Sequence, residues 1–425
     1  MPSDPSSKSQ VTSTVVPMVI VGVLFFIFGF VTWLNGPLIT FVKVVFHLDN
    51  ISAFLIPVAF YVSYFVMALP SAAILRCTGI KKGMALGLFV MALGALLSGQ
   101  YIEWQNYHGD LVGLFVMGIG LALLQTASNP YISILGPIDS AAQRAAIMGI
   151  CNKVAGAVAP VVFGALVLKG IDALIKQIKA APDAAEAATL INQFATRVYV
   201  PYLVMAALLA ALAIWVLRSG LPEIKPNEAN SEASIHHHGR SLFSFPHLWL
   251  GVLCLFLYVG VEVMAGDAIG TYASAFGLPT SLSAHLTTAT MAAMVIGYVT
   301  GLCLIPRFIS QQRYLAVSAA LGIVLALCAY LTQGYTSVIF VAALGFANAM
   351  MWPAIFPLAI KGLGRHTEFA SALLIMAIIG GALIPELFVH LQQKMNFQLA
   401  FCVVVVPCYL YILYYGLCGH KTGIP

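Results

Sequence analysis

Apolar residues run along this chain in long continuous stretches divided by short polar seams. A helix needs about 20 mostly apolar residues to cross a bilayer. Twelve stretches qualify: Val15–Val42, Ile51–Leu75, Met84–Leu97, Leu111–Leu135, Ala145–Leu168, Val198–Leu217, Leu248–Ala275, Leu286–Ile305, Tyr314–Leu331, Ser337–Ile360, Phe369–Val389 and Leu399–Leu417. Gly and Ser dilute the third, which is the weakest. No run alternates with a period of two, which excludes transmembrane β-strands. The polar MPSDPSSKSQ precedes the first run, which is too long and lacks the small-residue cleavage site of a signal peptide, so it reads as a retained span. Residues 219–244 are polar, with Pro222, Pro226 and three His at 236–238, and read as a solvated linker. The expected fold is an all-α membrane protein with six spans in 1–218 and six in 245–425.

Composition agrees. Hydrophobic residues make up 61% and charged residues 8%, against about 25% charged in soluble domains. A soluble enzyme, a disordered chain, a nucleic-acid binder and a secreted disulfide scaffold are excluded together. The excess of 20 Lys+Arg over 15 Asp+Glu is too small to indicate a polyanion partner. The eight Cys form no CxxC pair and read as small core residues. No metal-ligand spacing, phosphate loop or nucleophile–base pair is visible, so no enzymatic activity is expected.

The location of the charges is informative. One face, side one, holds Lys8, Arg76, Lys81, Lys82, Arg144, Arg218, Lys225, Arg240, Arg307, Arg313, Lys361, Arg365 and Lys421. Side two holds Lys43, Lys394 and a long loop from Lys169 to Arg197. Basic residues in short loops mark the cytoplasmic side, so both termini are expected inside.

Ionisable groups at membrane depth default to functional candidates. Lys153 lies about ten residues into span five, roughly 15 Å deep at 1.5 Å per residue. Glu262 and Asp267 lie in span seven, about 140° apart on an unbroken helix. Glu386 follows Pro385 nearer the outer end of span eleven. The pattern suits a titratable or cation-binding carboxylate beside a fixed cation; the alternative is a structural salt bridge. Amides cluster as well: Asn35 in span one, Gln125 and Asn129 in span four, Asn152 in span five and Asn348 in span ten, with Trp352 nearby. An amide both donates and accepts, which suits a polyol, and an indole covers the apolar face of a sugar ring. The alternative is hydrogen bonding between helices.

The halves repeat weakly. At offset 231, Gly29 falls on Gly260; at 223, Gln125 and Pro130 fall on Asn348 and Pro353; at 225, Gly156 and Pro160 fall on Gly381 and Pro385. Six plus six spans around a linker is the layout of the major facilitator superfamily.

Several strings carry a more specific likeness: FFIFGFVTWLNGPLI (25–39), LLQTASNPYISILGP (123–137), NKVAG (152–156), YVGVE (258–262), FPLAIKGLG (356–364) and IIGGALIPE (378–386). The chain resembles the fucose:proton symporter family of that superfamily, and within it the glucose/galactose transporter branch. The resemblance implies a twelve-helix inner-membrane symporter for monosaccharides. It also implies that Gln125, Asn129, Asn152 and Asn348 contact sugar.

There are two departures. Fucose permeases have Asn-Asp where this chain has Asn35-Gly36, and a Glu where it has Gln125. Those acids carry proton coupling in the permeases, so coupling here must differ. Asp267 falls on Gly36 at offset 231, and Lys153 adds a fixed cation. The loop from Pro70 to Lys82 resembles the superfamily's Gly-rich gating loop but lacks its Asp.

The expected function is a cation-coupled hexose importer working by alternating access. Sugar meets Gln125, Asn129, Asn152, Asn348, Asn35 and Trp352. Glu262, Asp267 and Lys153 handle the coupling ion, a proton by preference, with Na⁺ at Glu262 and Asp267 open. No other cofactor or metal is expected, nor any partner beyond sugar and lipid bilayer, and the chain is expected to be a monomer in a bacterial inner membrane. An uncoupled facilitator and a metabolite exporter are the competing readings. Glucose, galactose, N-acetylglucosamine, fructose and mannose stay open as substrates.

Overall fold

The computed structural model describes residues 5–135, 141–221, 242–305, 307–363 and 366–423. Most of the 219–244 linker, including the His run at 236–238, lies outside the described residues. All regular structure among the described residues is helical. Twelve helices are long and apolar enough to cross a membrane: Val16–Val45, Asn50–Thr78, Ile80–Glu103, Tyr107–Asn129, Arg144–Leu166, Ala184–Arg218, Pro246–Gly266, Thr280–Leu304, Gln311–Leu331, Gly334–Ile360, Phe369–Leu391 and Phe397–Leu417. They are spans one to twelve below. Their outer surface exposes large apolar side chains such as Leu208, Val317 and Ile339, as a lipid-facing surface requires.

Two differences from the sequence expectation have physical causes. Span three runs over 24 residues, well past its apolar stretch. The glycines that dilute its hydropathy are its packing surface. A methyl group on Gly87 would stand 2.7 Å from the Gly120 carbonyl oxygen, and one on Gly94 2.4 Å from the Met117 nitrogen. Small residues let helix backbones approach where lipid offers no hydrophobic drive. The expected loop from Lys169 to Arg197 is mostly helical. A short amphipathic helix covers Ile171–Ala180, and span six then starts at Ala184. Alanine-rich AAEAATLINQFATR has high helix propensity, and the Asp183 carboxylate caps the helix by accepting from the Glu186 N–H at 2.8 Å.

The weak sequence repeat becomes a repeat of contacts. Span one packs on span five, and span seven on span eleven. A methyl on Gly29 would fall 1.8 Å from the Asn152 carbonyl oxygen; one on Gly260 would fall 2.4 Å from Ile384 Cγ1. The two six-helix sets meet along a central seam. Span two lies against span eleven and span five against span eight. The second contact runs from Gly149 at Tyr298, through Thr288 donating to the Ala157 carbonyl at 3.0 Å, to Gly164 at Ala284. On side two the Asp172 carboxylate accepts from the backbone N–H groups of Thr280 and Ser281 at 3.0 and 3.3 Å. The expected gating loop, 70–82, is helical on both sides of Gly79, and Lys81 in the first turn of span three donates to the Ser219 carbonyl at 2.7 Å.

Candidate functional site between two broken helices

Spans one and seven are interrupted at similar depths. The helix of span one ends at Thr32 and resumes at Asn35; that of span seven ends at Gly266 and resumes at Ile269. At offset 231 the two interruptions fall three residues apart. Each frees backbone groups that need partners in a membrane interior. In span seven, span eight supplies them: the Thr287 hydroxyl donates to the Gly266 carbonyl at 2.8 Å and Thr290 to the Ala265 carbonyl at 2.9 Å.

Trp33 sits at the first break and reaches across the seam. A methyl on Gly156 of span five would stand 2.4 Å from its Cδ1, and one on Gly266 of span seven 2.3 Å from its Cζ3. Both positions must be bare for the indole to lie there. Lys153 lies over the ring, its Nζ 4.6 Å from the centroid. Such a contact contributes about 0.5–2 kcal/mol, more when desolvated. The same ammonium donates to Glu262 Oε1 at 2.6 Å. This ion pair joins the first six-helix set to the second, and its two side chains are only 9% and 10% exposed.

Asp267 is 1% exposed; neither carboxylate oxygen has a well-formed hydrogen bond, and the donor beside it is the backbone N–H of Gly36. Trp33 Nε1 and Asn35 Nδ2 also lack a well-formed partner, with the Asn35 side chain beside the Tyr61 hydroxyl. An unpartnered buried polar group costs about 1–3 kcal/mol, and native proteins hold few. Here two donors come from the span-one break and two acceptors from the span-seven break. A neutral ligand bearing hydroxyls answers both. Asp267 keeps the helical register, its N–H donating to the Val263 carbonyl at 2.8 Å, so it and Glu262 leave the helix about 140° apart, and it shares a field with Glu262 and Lys153. Opposite Asp267 is the bare backbone of Gly36, where a methyl would stand 3.2 Å from Asp267 Oδ1 and 3.0 Å from Thr287 Oγ1.

The other sequence-predicted residues are distributed around this centre. Asn35 is buried beside Tyr61 of span two. Asn152 is half-buried and donates to the Phe25 carbonyl at 3.4 Å. Gln125 and Asn129 are half-buried on span four. Asn348 is fully buried within the second set, accepting from the Tyr409 hydroxyl at 2.7 Å and donating to the Val261 carbonyl at 3.5 Å. Trp352 is half-buried and stacks on Phe356 at 5.9 Å. Glu386 stands apart from the centre, with His390 Nδ1 3.4 Å from its Oε1. No group of three or more His, Cys, Asp or Glu among the described residues could hold a metal ion.

Sequence reasoning noted Trp33 but gave it no role, and overlooked Thr287 and Thr290. Their signal was the pair of hydroxyls one turn apart in LTTAT, facing a Gly-Asp break. It also overlooked Asp110, a fully buried acid in span four that accepts from the Ser98 hydroxyl of span three. That pair ties two helices of the first set together, away from the seam.

Comparison with known proteins shows the family of the chain. The Major Facilitator Superfamily model matches residues 21–385. The glucose/galactose transporter of Brucella abortus biovar 1 (strain 9-941) is 34% identical over 402 residues, covering 94% of this chain and 93% of the relative. The L-fucose-proton symporter of Escherichia coli (strain K12) is 30% identical over 381 residues, covering 88% and 86%. Among solved structures, the major facilitator transporter FucP in the outward conformation superimposes with a TM-score of 0.74 at 26% identity, covering 95% of this chain and 98% of that one. With twelve apolar spans and these relatives, the chain is a multi-pass membrane protein that belongs to the major facilitator superfamily, in the family of the fucose–proton symporters and glucose/galactose transporters.

Proposed function

We propose that this protein is a secondary active monosaccharide importer, coupled to protons and working by alternating access. The observation that carries the reading is the set of four buried polar atoms without well-formed hydrogen bonds at the facing helix breaks, beside an ion pair that crosses the seam. The naming of relatives as glucose/galactose transporters and L-fucose-proton symporters supports the same class.

In this reading the two bundles, 1–218 and 245–425, rock about a sugar held between them, with 219–244 as the connecting linker. Trp33 Nε1 and Asn35 Nδ2 donate to sugar oxygens, and Asp267 accepts from a hydroxyl. Gln125, Asn129 and Asn152 reach the sugar from spans four and five, and Trp352 covers an apolar face. Asn348, held by Tyr409, stiffens the wall behind Glu262. Burying an ionised Asp267 without a cation of its own costs several kcal/mol; a bound proton removes that cost, which links closure to proton uptake. A proton is favoured over Na⁺ because Na⁺ needs a shell of oxygens, and Glu262 is already engaged by Lys153. The protein resides in a bacterial inner membrane as a monomer, with both termini cytoplasmic.

The test is uptake into proteoliposomes of labelled glucose, galactose, N-acetylglucosamine, fructose and mannose under an imposed proton or Na⁺ gradient. Accumulation of at least one sugar with the proton gradient alone is expected. Uptake that only equilibrates under either gradient would establish a facilitator. Thermal stabilisation by an amphiphile and by none of the sugars would establish an exporter.

A further inference from the structure

The two acids of span seven differ in their surroundings, although five residues separate them. Glu262 holds an ammonium at 2.6 Å from the opposite bundle, and that ammonium also rests on the Trp33 ring. Asp267 faces no cation of its own, and the donor beside it is the backbone N–H of Gly36. Among the described residues, the tyrosines that share the field of these acids are Tyr258 on their own helix, Tyr61 on span two, Tyr298 on span eight and Tyr409 on span twelve. None of these carries charge at neutral pH. Lys153 is therefore the cation that balances the centre.

We propose that Lys153 sets the coupling ratio of the transporter: it holds Glu262 as a permanent ion pair across the seam, withdraws that carboxylate from proton exchange, and leaves Asp267 as the single exchanging acid. This rests on the proton-coupled reading above and deepens it. Each cycle then moves about one proton per sugar, because one group is neutralised on closing and ionised on opening. The proton reaches Asp267 from water on one side and returns to water on the other. Without Lys153, Glu262 would also have to be buried neutral, and it could become so only by taking up a proton of its own. The tethered ammonium does for Glu262 what a second proton would do. A solely structural bridge would hold the bundles together and leave the ratio unaffected when replaced.

The ratio is read in proteoliposomes by setting a sugar gradient against a proton gradient and finding where net flux vanishes. Wild type, Lys153→Met, Glu262→Gln and the double variant Lys153→Met/Glu262→Gln are compared, with the pH profile of uptake for each. The expected ratios are about one for wild type, rising toward two in Lys153→Met, and about one again in the double variant. The Lys153→Met profile should also become steeper in pH, as fits two linked protonations. A wild-type ratio of two would overturn the proposal. So would a Lys153→Met protein with the wild-type ratio and profile, or a double variant that moves sugar but no longer accumulates it. Lys153→Met leaves a buried acid unpaired and risks poor folding; the double variant removes both charges and decides the matter alone in that case. Wild-type protein that never accumulates sugar under a proton gradient would refute the parent reading, independently of the role of Lys153.

Discussion

The break in span one and the break in span seven occupy similar places in the two bundles, yet they are built from different chemistry. The first offers donors, the Trp33 indole N–H and the Asn35 amide, and its next residue, Gly36, has no side chain. The second offers the carboxyl group of Asp267, and its freed carbonyls are already bonded by Thr287 and Thr290. In the proposed reading each break supplies part of the hydrogen bonding of a polyol, so the ligand is held best where the bundles meet. A ligand shifts a conformational equilibrium only by that kind of difference. Giving each of two helix breaks part of the hydrogen-bonding task is a simple way to tie substrate binding to closure.

The largest effect should come from removing the acid of the second break. Asp267→Asn keeps the shape and removes the proton site. Concentrative uptake should vanish, while exchange of labelled for unlabelled sugar persists; loss of both would make Asp267 a binding group alone. A companion experiment moves the acid across the seam. Gly36→Asp alone places a second carboxylate within about 3–4 Å of the first, and two carboxylates that close cannot both ionise. Uptake should fall more than about tenfold. Asp267→Gly added to Gly36→Asp should restore accumulation, since the carboxylate returns to nearly the same point in space from the other bundle.

Much of this was legible in the sequence. Hydropathy gave twelve spans, because the bilayer makes a long apolar run unambiguous. The offset of 231 residues gave Gly29 and Gly260 as counterparts and set Asp267 against Gly36, and the structure brings those last two into contact. Lys153 and Glu262 stood out as charges at membrane depth, but their pairing did not, since 109 residues separate them and no local rule joins two bundles. Gly36-Pro37 hinted at a bend in span one, just after the observed break, but the break in span seven was not read from the sequence, since it depends on whether a neighbour can satisfy the carbonyls, which is a property of span eight. Asn348 illustrates the converse: an amide read as a sugar contact from its cluster and from the family resemblance also accepts from Tyr409, whose place in span twelve no pattern near residue 348 reveals.

The contrast between the breaks can be sharpened through the residue that spans them. Trp33 lies between Gly156 and Gly266, and a methyl group on Gly266 would overlap the indole at 2.3 Å. Gly266→Ala should therefore push the ring back toward Gly156, where there is no room either. Overpacking of this kind costs about 1–3 kcal/mol, read as a lower unfolding temperature in detergent. Trp33→Phe in the same protein should recover most of the loss. If Gly266→Ala unfolds like wild type, the indole does not wedge the seam.

A smaller effect is expected at the edge of the same seam on side two. Asp172 caps the start of span eight through Thr280 and Ser281 and so links the two bundles there. Replacing a capping carboxylate costs about 1 kcal/mol, which corresponds to roughly a fivefold change in a two-state equilibrium. Asp172→Ala should populate the form open on side two by about that factor. Distances between spin labels on the 171–180 helix and on the loop at 277–279 would report it as a growing long-distance population, and an unchanged distribution would remove Asp172 from the gate.

The smallest expected effect tests why the span-seven break is stable at all. Thr287 and Thr290 each replace a bond that the interrupted helix lost, and each also bonds a carbonyl of its own helix, Ser283 for Thr287 and Leu286 for Thr290. The hydroxyl is shared, so removing it leaves the Gly266 or Ala265 carbonyl without a donor but disturbs span eight little. Interhelical hydrogen bonds of this kind contribute about 0.6 kcal/mol on average in membrane proteins. Thr287→Val, which keeps the shape, should lower stability by about that much and Thr290→Val similarly. The two together should exceed the sum, since the helix then has no donor at its break and must close or unwind further. A double-mutant cycle on unfolding in detergent reads this coupling. Strict additivity would mean that the two threonines act on separate features, and that the break in span seven, like the one in span one, is held by the chain itself and not by its neighbour.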